Sequence, residues 1–293
     1  MSGDHLQRLL LEEANVRCVV VHLDAVYREV LGRGCYPDLV AQLLGQTLVV
    51  SALCSSGVKF SGRISLQLRS SSALKLLMAD CTDQGGLRGL ARFDADAILG
   101  ASGFSDLTAG GVLTMTVEPS DKARTWQGIV PLEAHSMSAA IEAYFERSEQ
   151  LPTRVMVAVQ GDRAAGVLIQ RLPGKAEDDD GWNRVCRLLE TLGEAELLQT
   201  ASEELLHRLF HAEDRRLYPA RPLRFFCPCS RERVARVLRG LGEQELEEII
   251  ESQGEVEVNC EFCDNRYCFD PLDIQRLLHS DLPEDTDGRP TFH

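Results

Sequence analysis

Phe60-Ser61-Gly62-Arg63-Ile64-Ser65-Leu66-Gln67-Leu68 places Phe60, Gly62, Ile64, Leu66 and Leu68 in alternation with Lys59 before it and with Ser61, Arg63, Ser65 and Gln67. A period of two is that of a half-buried strand, because successive side chains leave a pleated backbone on opposite faces. Just upstream the period changes. From Pro37 to Cys54 the apolar positions Leu39, Val40, Leu43, Leu44, Leu48 and Val49 recur at helical spacing, with Pro at the start and Ser55-Ser56-Gly57 at the end. This predicts an amphipathic helix facing the core. Residues 16–26, rich in β-branched side chains, read as an earlier strand. Downstream, strand candidates at 74–81, 88–93, 112–118, 125–130, 155–160 and 165–171 are separated by Gly, Asp and Ser clusters, and a helix from about Ser138 to Gln150 interrupts them before Pro152. Many short strands and two helices predict an α+β domain built on a largely antiparallel sheet over residues 1–174.

Pro173-Gly174-Lys175 and the acidic run Glu177-Asp178-Asp179-Asp180-Gly181 mark a change of composition. Trp182, Val185, Leu188, Leu189, Leu192, Leu197, Leu198, Leu205, Leu206, Leu209 and Phe210 then recur at helical spacings broken by Gly193, so residues 175–222 read as a helical linker. Its apolar face is too large to leave in water and must rest on the first domain or on a partner. Residues 231–253 read as two more helices divided at Gly240-Leu241-Gly242. Short strands near 255–258 and 266–269 bracket a turn, giving a small C-terminal module over residues 223–293.

The 293 residues are 44% apolar and 26% charged, the composition of an ordinary globular chain. A net charge of -14 argues against nucleic-acid binding, which relies on Lys and Arg against phosphates. The first residues, Met1-Ser2-Gly3-Asp4-His5-Leu6, lack the pattern of a signal peptide, and no apolar run is read as approaching the ~18 residues of a membrane span, so a cytoplasmic protein away from membranes is expected. The seven histidines are dispersed, and G-x-S-x-G, H-E-x-x-H and phosphate-binding glycine loops are absent from the sequence. No catalytic residues are expected.

The ten cysteines divide unevenly. Cys18, Cys35, Cys54, Cys81 and Cys186 are scattered and read as small, mostly buried hydrophobes. Cys227, Cys229, Cys260, Cys263 and Cys268 crowd together. Cys227-Pro228-Cys229 and Cys260-Glu261-Phe262-Cys263 supply four soft donors in two close pairs, the ligand set of a structural Zn²⁺ rather than of a catalytic one, which keeps a position open for water. The same spacings let an oxidant join neighbours, Cys260 to Cys263 easily and Cys227 to Cys229 through a more strained ring. Thiolates are the form that peroxide attacks, so such a site can double as a sensor. Cys268 reads as a packed strand residue, with substitute ligand or resolving thiol as alternatives.

Phe225-Phe226-Cys227-Pro228-Cys229-Ser230, the Glu-rich helix that follows, and Val258-Asn259-Cys260-Glu261-Phe262-Cys263 with Tyr267 and Phe269 resemble the 33 kDa chaperonin family of redox-regulated heat-shock holdases. Tyr144-Phe145-Glu146-Arg147-Ser148-Glu149-Gln150-Leu151-Pro152-Thr153 and Ala165-Gly166-Val167-Leu168-Ile169-Gln170-Arg171-Leu172-Pro173-Gly174 are similar as well, so the resemblance runs through nearly the whole chain. It implies an ATP-independent chaperone, inactive when reduced and zinc-bound. Oxidation in that family pairs the cysteines within each motif, here Cys227 with Cys229 and Cys260 with Cys263. Zinc then leaves, the C-terminal module and linker unfold, and a chaperone that is usually dimeric presents apolar surface to unfolding client proteins. Cys268 is outside the family's four-cysteine pattern, and no short motif marks a client-binding surface. Two other readings remain: a zinc ribbon for nucleic acid, opposed by seven Arg against eleven Asp and Glu in residues 221–270, and a dithiol oxidoreductase centred on Cys260 and Cys263.

Overall fold

The computed structural model describes residues 3–57, 61–120 and 124–279. Lys59 and Phe60, read above as the start of a strand, and Met1 and Ser2 lie outside the described residues. Two compact units divide at Phe226 and Cys227. In the first, β1 (His5–Leu11) and β2 (Val16–Leu23) lead into α1 (Ala25–Leu31) and α2 (Asp38–Ser55). β3 (Gly62–Arg69), β4 (Leu74–Thr82) and β5 (Gly86–Phe93) follow, then the short α3 (Ala95–Ile98) and α4 (Phe104–Thr108). Next come β6 (Val112–Pro119), β7 (Trp126–Pro131), α5 (Met137–Tyr144), β8 (Thr153–Gln160) and β9 (Arg163–Arg171). α6 (Gly181–Glu190), α7 (Glu194–Gln199) and α8 (Ser202–Phe210) precede β10 (Arg215–Leu217), β11 (Arg221–Pro222) and β12 (Arg224–Phe225). The second unit holds α9 (Arg231–Arg239), α10 (Glu243–Gln253), β13 (Val256–Asn259), β14 (Arg266–Phe269) and α11 (Pro271–His279).

One sheet runs β10-β1-β2-β9-β8 with β11 also on β1, and the other runs β12-β5-β4-β3-β6-β7. Pairing is antiparallel as expected except between β12 and β5, which run parallel. The strand read over 16–26 stops at Leu23, because Asp4 accepts hydrogen bonds from the backbone N–H groups of Asp24 (2.9 Å), Ala25 (3.1 Å) and Val26 (2.6 Å) and so caps α1 from the position just before β1. β1 went unread because its leucines favour helix when considered alone. The helix read to Gln150 becomes a π-helical turn after Tyr144, over Phe145–Glu149, and ends with Gln150 in the left-handed region at φ 55°.

α2 lies between the two sheets, packing on β4 and β5 on one side and on β2, β8 and β9 on the other. It is therefore buried on nearly every side, Thr47 and Ser51 included, where an amphipathic helix was expected. At 18 residues with few charges it is also long and apolar enough to cross a membrane by length and composition, which corrects the expectation that no run approached that length. Its polar residues disguise this in the sequence; Thr47 resolves its own need by donating to the Leu43 carbonyl at 2.7 Å. Gly166 of β9 permits the close approach of α2, since a Cβ there would lie 2.4 Å from Val49 Cγ1 and 3.1 Å from Leu53 Cδ1. Gly166→Ala is expected to destabilise the first unit by about 1–3 kcal/mol in denaturant unfolding, and an unchanged midpoint would show that α2 shifts freely.

β2 is buried on both faces. Val19, Val21 and Leu23 join the α2 core. Val16, Cys18 and Val20 join a second core in which Leu9, Leu11, Val167 and Ile169 meet Val185, Leu189, Leu197, Leu205, Leu206, Leu209 and Phe210 from α6, α7 and α8. The apolar stripes of residues 182–211 thus rest on a sheet, as their area demanded. Arg184 clamps this cover, donating to Glu213 at 2.7 and 2.8 Å and to Asp178 at 2.6 Å.

Candidate metal centre

Among the described residues, the second unit has a core of six buried side chains, Leu238, Leu246, Val256, Phe269, Ile274 and Leu277. Beside it the chain brings four thiols together. Cys227 and Cys229 immediately precede α9, whose N-cap Ser230 accepts from the Arg233 N–H at 3.3 Å. Cys260 and Cys263 sit in the turn between β13 and β14. The N–H groups of Cys263 (3.3 Å) and Asp264 (2.7 Å) donate to the Cys260 carbonyl, and Cys260 N–H donates to the Asn265 carbonyl at 2.9 Å. Asp264 takes the left-handed conformation that closes so tight a turn, at φ 56°.

All four sulfurs lie within 4.8 Å of one another. Cys229 Sγ is 3.1 Å from Cys263 Sγ, and Cys227 Sγ is 3.7 Å from Cys260 Sγ. Bonds of 2.3 Å from a tetrahedral Zn²⁺ put sulfurs about 3.8 Å apart, so the donor set fits such an ion with sub-ångström adjustment. The four-cysteine cluster can hold a metal ion. Both of these contacts run between the motifs rather than within them. As free thiols Cys260 and Cys263 differ: the Cys227 contact, helped by the N–H groups of Phe262 and Cys263, holds Cys260 below the usual thiol value, while burial first and the Cys229 contact second push Cys263 up to about 11.

Tyr267 belongs to the arrangement. Its hydroxyl donates to Cys229 Sγ at 3.2 Å, and Asn265 Nδ2 stands 4.0 Å from the same sulfur. Alternation along β14 could have located Tyr267, since it shares a face with core residue Phe269. The same alternation turns Cys268 to the opposite face, opposite Glu257 and grouped with Glu255. Cys268 is therefore outside the four-thiol cluster. An outer hydrogen bond to a ligating thiolate fixes its orientation, and its loss typically weakens a metal by 10–100-fold. Tyr267→Phe is expected to show that loss in a chelator competition; an unchanged affinity would make the hydroxyl incidental.

The remaining cysteines lie elsewhere. Burial pushes the thiol of Cys54 up to about 12 and that of Cys81 up to about 11, with Cys18 shifted the same way, so these three are inert as expected. Cys35 is exposed, which corrects the reading for it, while Cys186 is half-buried and packs against the second core. The setting of Cys260 and Cys263, a hairpin turn, differs from the helix N-terminus at which dithiol oxidoreductases place a reactive thiol. Among the dispersed histidines, His207 and His211 meet one turn apart at the end of α8, and His5 and His22, far apart in sequence, face each other across β1 and β2.

The family model described as Hsp33 protein matches residues 4–270. A protein named 33 kDa chaperonin from Methylobacillus flagellatus is 38% identical over 283 residues, covering 96% of each chain. Its namesake from Pseudomonas paraeruginosa is 42% identical over 282 residues, covering 94% of this chain and 95% of its own. The crystal structure of the 33 kDa chaperonin, a heat shock protein 33 homologue, from Thermotoga maritima superposes with a TM-score of 0.81 at 21% identity, over 94% of this chain and 98% of that one. That likeness extends to the α+β architecture. With a matching family model over nine-tenths of its length and relatives of this identity end to end, this chain belongs to the Hsp33 family of 33 kDa chaperonins.

Proposed function

We propose that this heat-shock chaperone is a redox-controlled, ATP-independent holdase, acting on unfolding client proteins by binding rather than by catalysis. The observation that carries the proposal is the convergence of Cys227, Cys229, Cys260 and Cys263 on one point beside a core too small to stand alone. In this reading the reduced thiolates hold one Zn²⁺, which supplies folding free energy when bound. A small unit gains ~3–5 kcal/mol from its own core, against about 10–16 kcal/mol of apparent folding free energy from a structural zinc. Peroxide oxidises each pair by two electrons: two thiols and one peroxide give one disulfide and two waters. The ligands are consumed, the metal leaves, and the unit unfolds.

The pairing proposed is Cys227 with Cys229 and Cys260 with Cys263. The 3.1 Å contact of Cys229 with Cys263, between the motifs, favours no such partition. Chain connectivity does: once the module opens, partners two or three residues apart stay close, whereas closing a loop of more than thirty costs additional entropy. Functionally we divide the chain into an α+β domain (1–174), a helical linker (175–222) and a redox-switch module (223–293). The linker is the movable cover, because α6, α7 and α8 hide an apolar sheet face that a client can use. The active form is proposed to be a homodimer working in the cytoplasm. The test is light scattering from a thermally unfolding client with reduced or peroxide-treated protein, beside zinc release and disulfide mapping. Suppression by the oxidised form alone is expected; equal suppression by both forms refutes the switch.

A further inference from the structure

His5 and His22 are cross-strand partners on β1 and β2, with ring centroids 5.6 Å apart and planes near parallel. Both reach the same hydroxyl: His5 Nε2 is 2.8 Å and His22 Nδ1 is 2.9 Å from Ser202 Oγ, the buried first residue of α8. Their outer nitrogens meet carbonyls. His22 Nε2 is 2.8 Å from the Leu197 carbonyl on α7, and His5 Nδ1 is 2.7 Å from the Gly3 carbonyl. The cluster therefore fastens α7 and α8, the cover of the second core, to the first hairpin.

Counting protons shows what the cluster binds. Carbonyls only accept, so each outer nitrogen must carry hydrogen, and in the neutral rings both inner nitrogens are then lone pairs facing one hydroxyl with one hydrogen. Two neutral imidazoles and a serine bring three hydrogens to four contacts. One added proton satisfies all four. A second makes both inner nitrogens donors, sets the hydroxyl hydrogen without its partner, and stacks two cations at 5.6 Å.

We infer that His5, His22 and Ser202 form a one-proton clasp that holds α7 and α8 on the β1–β2 hairpin and opens when acid adds a second proton. The inference goes beyond the redox reading and does not depend on it. Burial holds the His22 imidazole below its ordinary value, and the His5 charge acts in the same direction; the Leu197 carbonyl and the Asp4 carboxylate act oppositely. Asp4 is itself engaged by the N–H groups of Asp24, Ala25 and Val26. Across the strand register, β9 presents Ala165 to His22 and β11 presents Pro222 to His5. From the helices, Glu196 of α7 and Glu204 of α8 are taken up by Arg208. A histidine held neutral when docked and free to protonate at about pH 6.5 when released stabilises docking above that pH, and the contribution falls as pH drops below it.

The experiment is hydrogen exchange by mass spectrometry on full-length, reduced protein between pH 7.5 and 5.5, corrected for intrinsic rates and read on peptides from α7 and α8. Opening of these helices is expected to increase about threefold between pH 6.5 and 5.5, the linkage ratio for a cluster that keeps one proton when docked and two imidazoles of ordinary pKa when released. His22→Gln keeps a donor toward Leu197 but cannot take the second proton, so its exchange should lose this acid-induced rise. The thiol cluster is the same in both proteins, so any response of the metal centre to acid is common to them. A parallel NMR titration of the wild-type imidazoles should find His22 still neutral at pH 5.5. Equal acid responses in wild type and His22→Gln, no response in wild type, or ordinary titration of His22 would each overturn the clasp.

Discussion

Replacing Cys263 with Ser is expected to unfold residues 227–279 while the two sheets of the first unit keep their structure. Cys263 is the most buried of the four thiols and lies 3.1 Å from Cys229. Serine is a poor ligand for a soft ion, and three remaining thiolates leave the metal weakly held. If the proposed zinc is bound, what is lost is the larger part of the unit's stability, about 10–16 kcal/mol of metal-linked free energy set against ~3–5 kcal/mol from its own core. Circular dichroism should lose the helicity of α9 to α11, and amides of β13 and β14 should exchange at the rates of an open chain. Chelation of the wild-type protein should do the same. A folded, exchange-protected Cys263→Ser module would show that the six-residue core suffices and that the metal is not its support.

Phe210→Ala is expected to cost about 3–5 kcal/mol and to loosen α8 from the sheet it covers. Phe210 is fully buried among Leu9, Leu11, Val16 and the leucines of α6 to α8. Truncation leaves a cavity under a helix nine residues long that is held mainly by this apolar face. The reduced protein should then bind a dye that reports apolar surface and should suppress client aggregation without any oxidant. Dye binding unaccompanied by aggregation suppression would separate the covered sheet face from the client site and refute the linker as its cover. His22 and Phe210 test the same cover by different forces, one by charge and one by packing.

Most strands from Gly62 to Arg171 were legible because they have one or both faces buried locally, and alternation or β-branched runs record that burial residue by residue; in β7 only Val130 is buried. The thiol set was legible for a different reason: metal-binding chemistry constrains residue type and spacing together, so the seven residues of two short motifs suffice. β1 and α1 were not legible. Leu6, Leu9 and Leu11 become strand because β2, β10 and β11 pair with them, and α1 begins at Ala25 because Asp4 caps it from twenty residues away. Tyr267 and Cys268 are adjacent in sequence and differ in role by one step of the pleat.

The sequence by itself determined the α+β class, the helical character of residues 182–211 and the four candidate ligands, since period and spacing are local quantities. Only the tertiary structure decided that α2 is enclosed between two sheets, that α6 to α8 cover one of them, and that His5, His22 and Ser202 meet. Each of these depends on chain segments far apart in sequence, and the free energy of such meetings lies in burial and hydrogen bonding that no single segment carries.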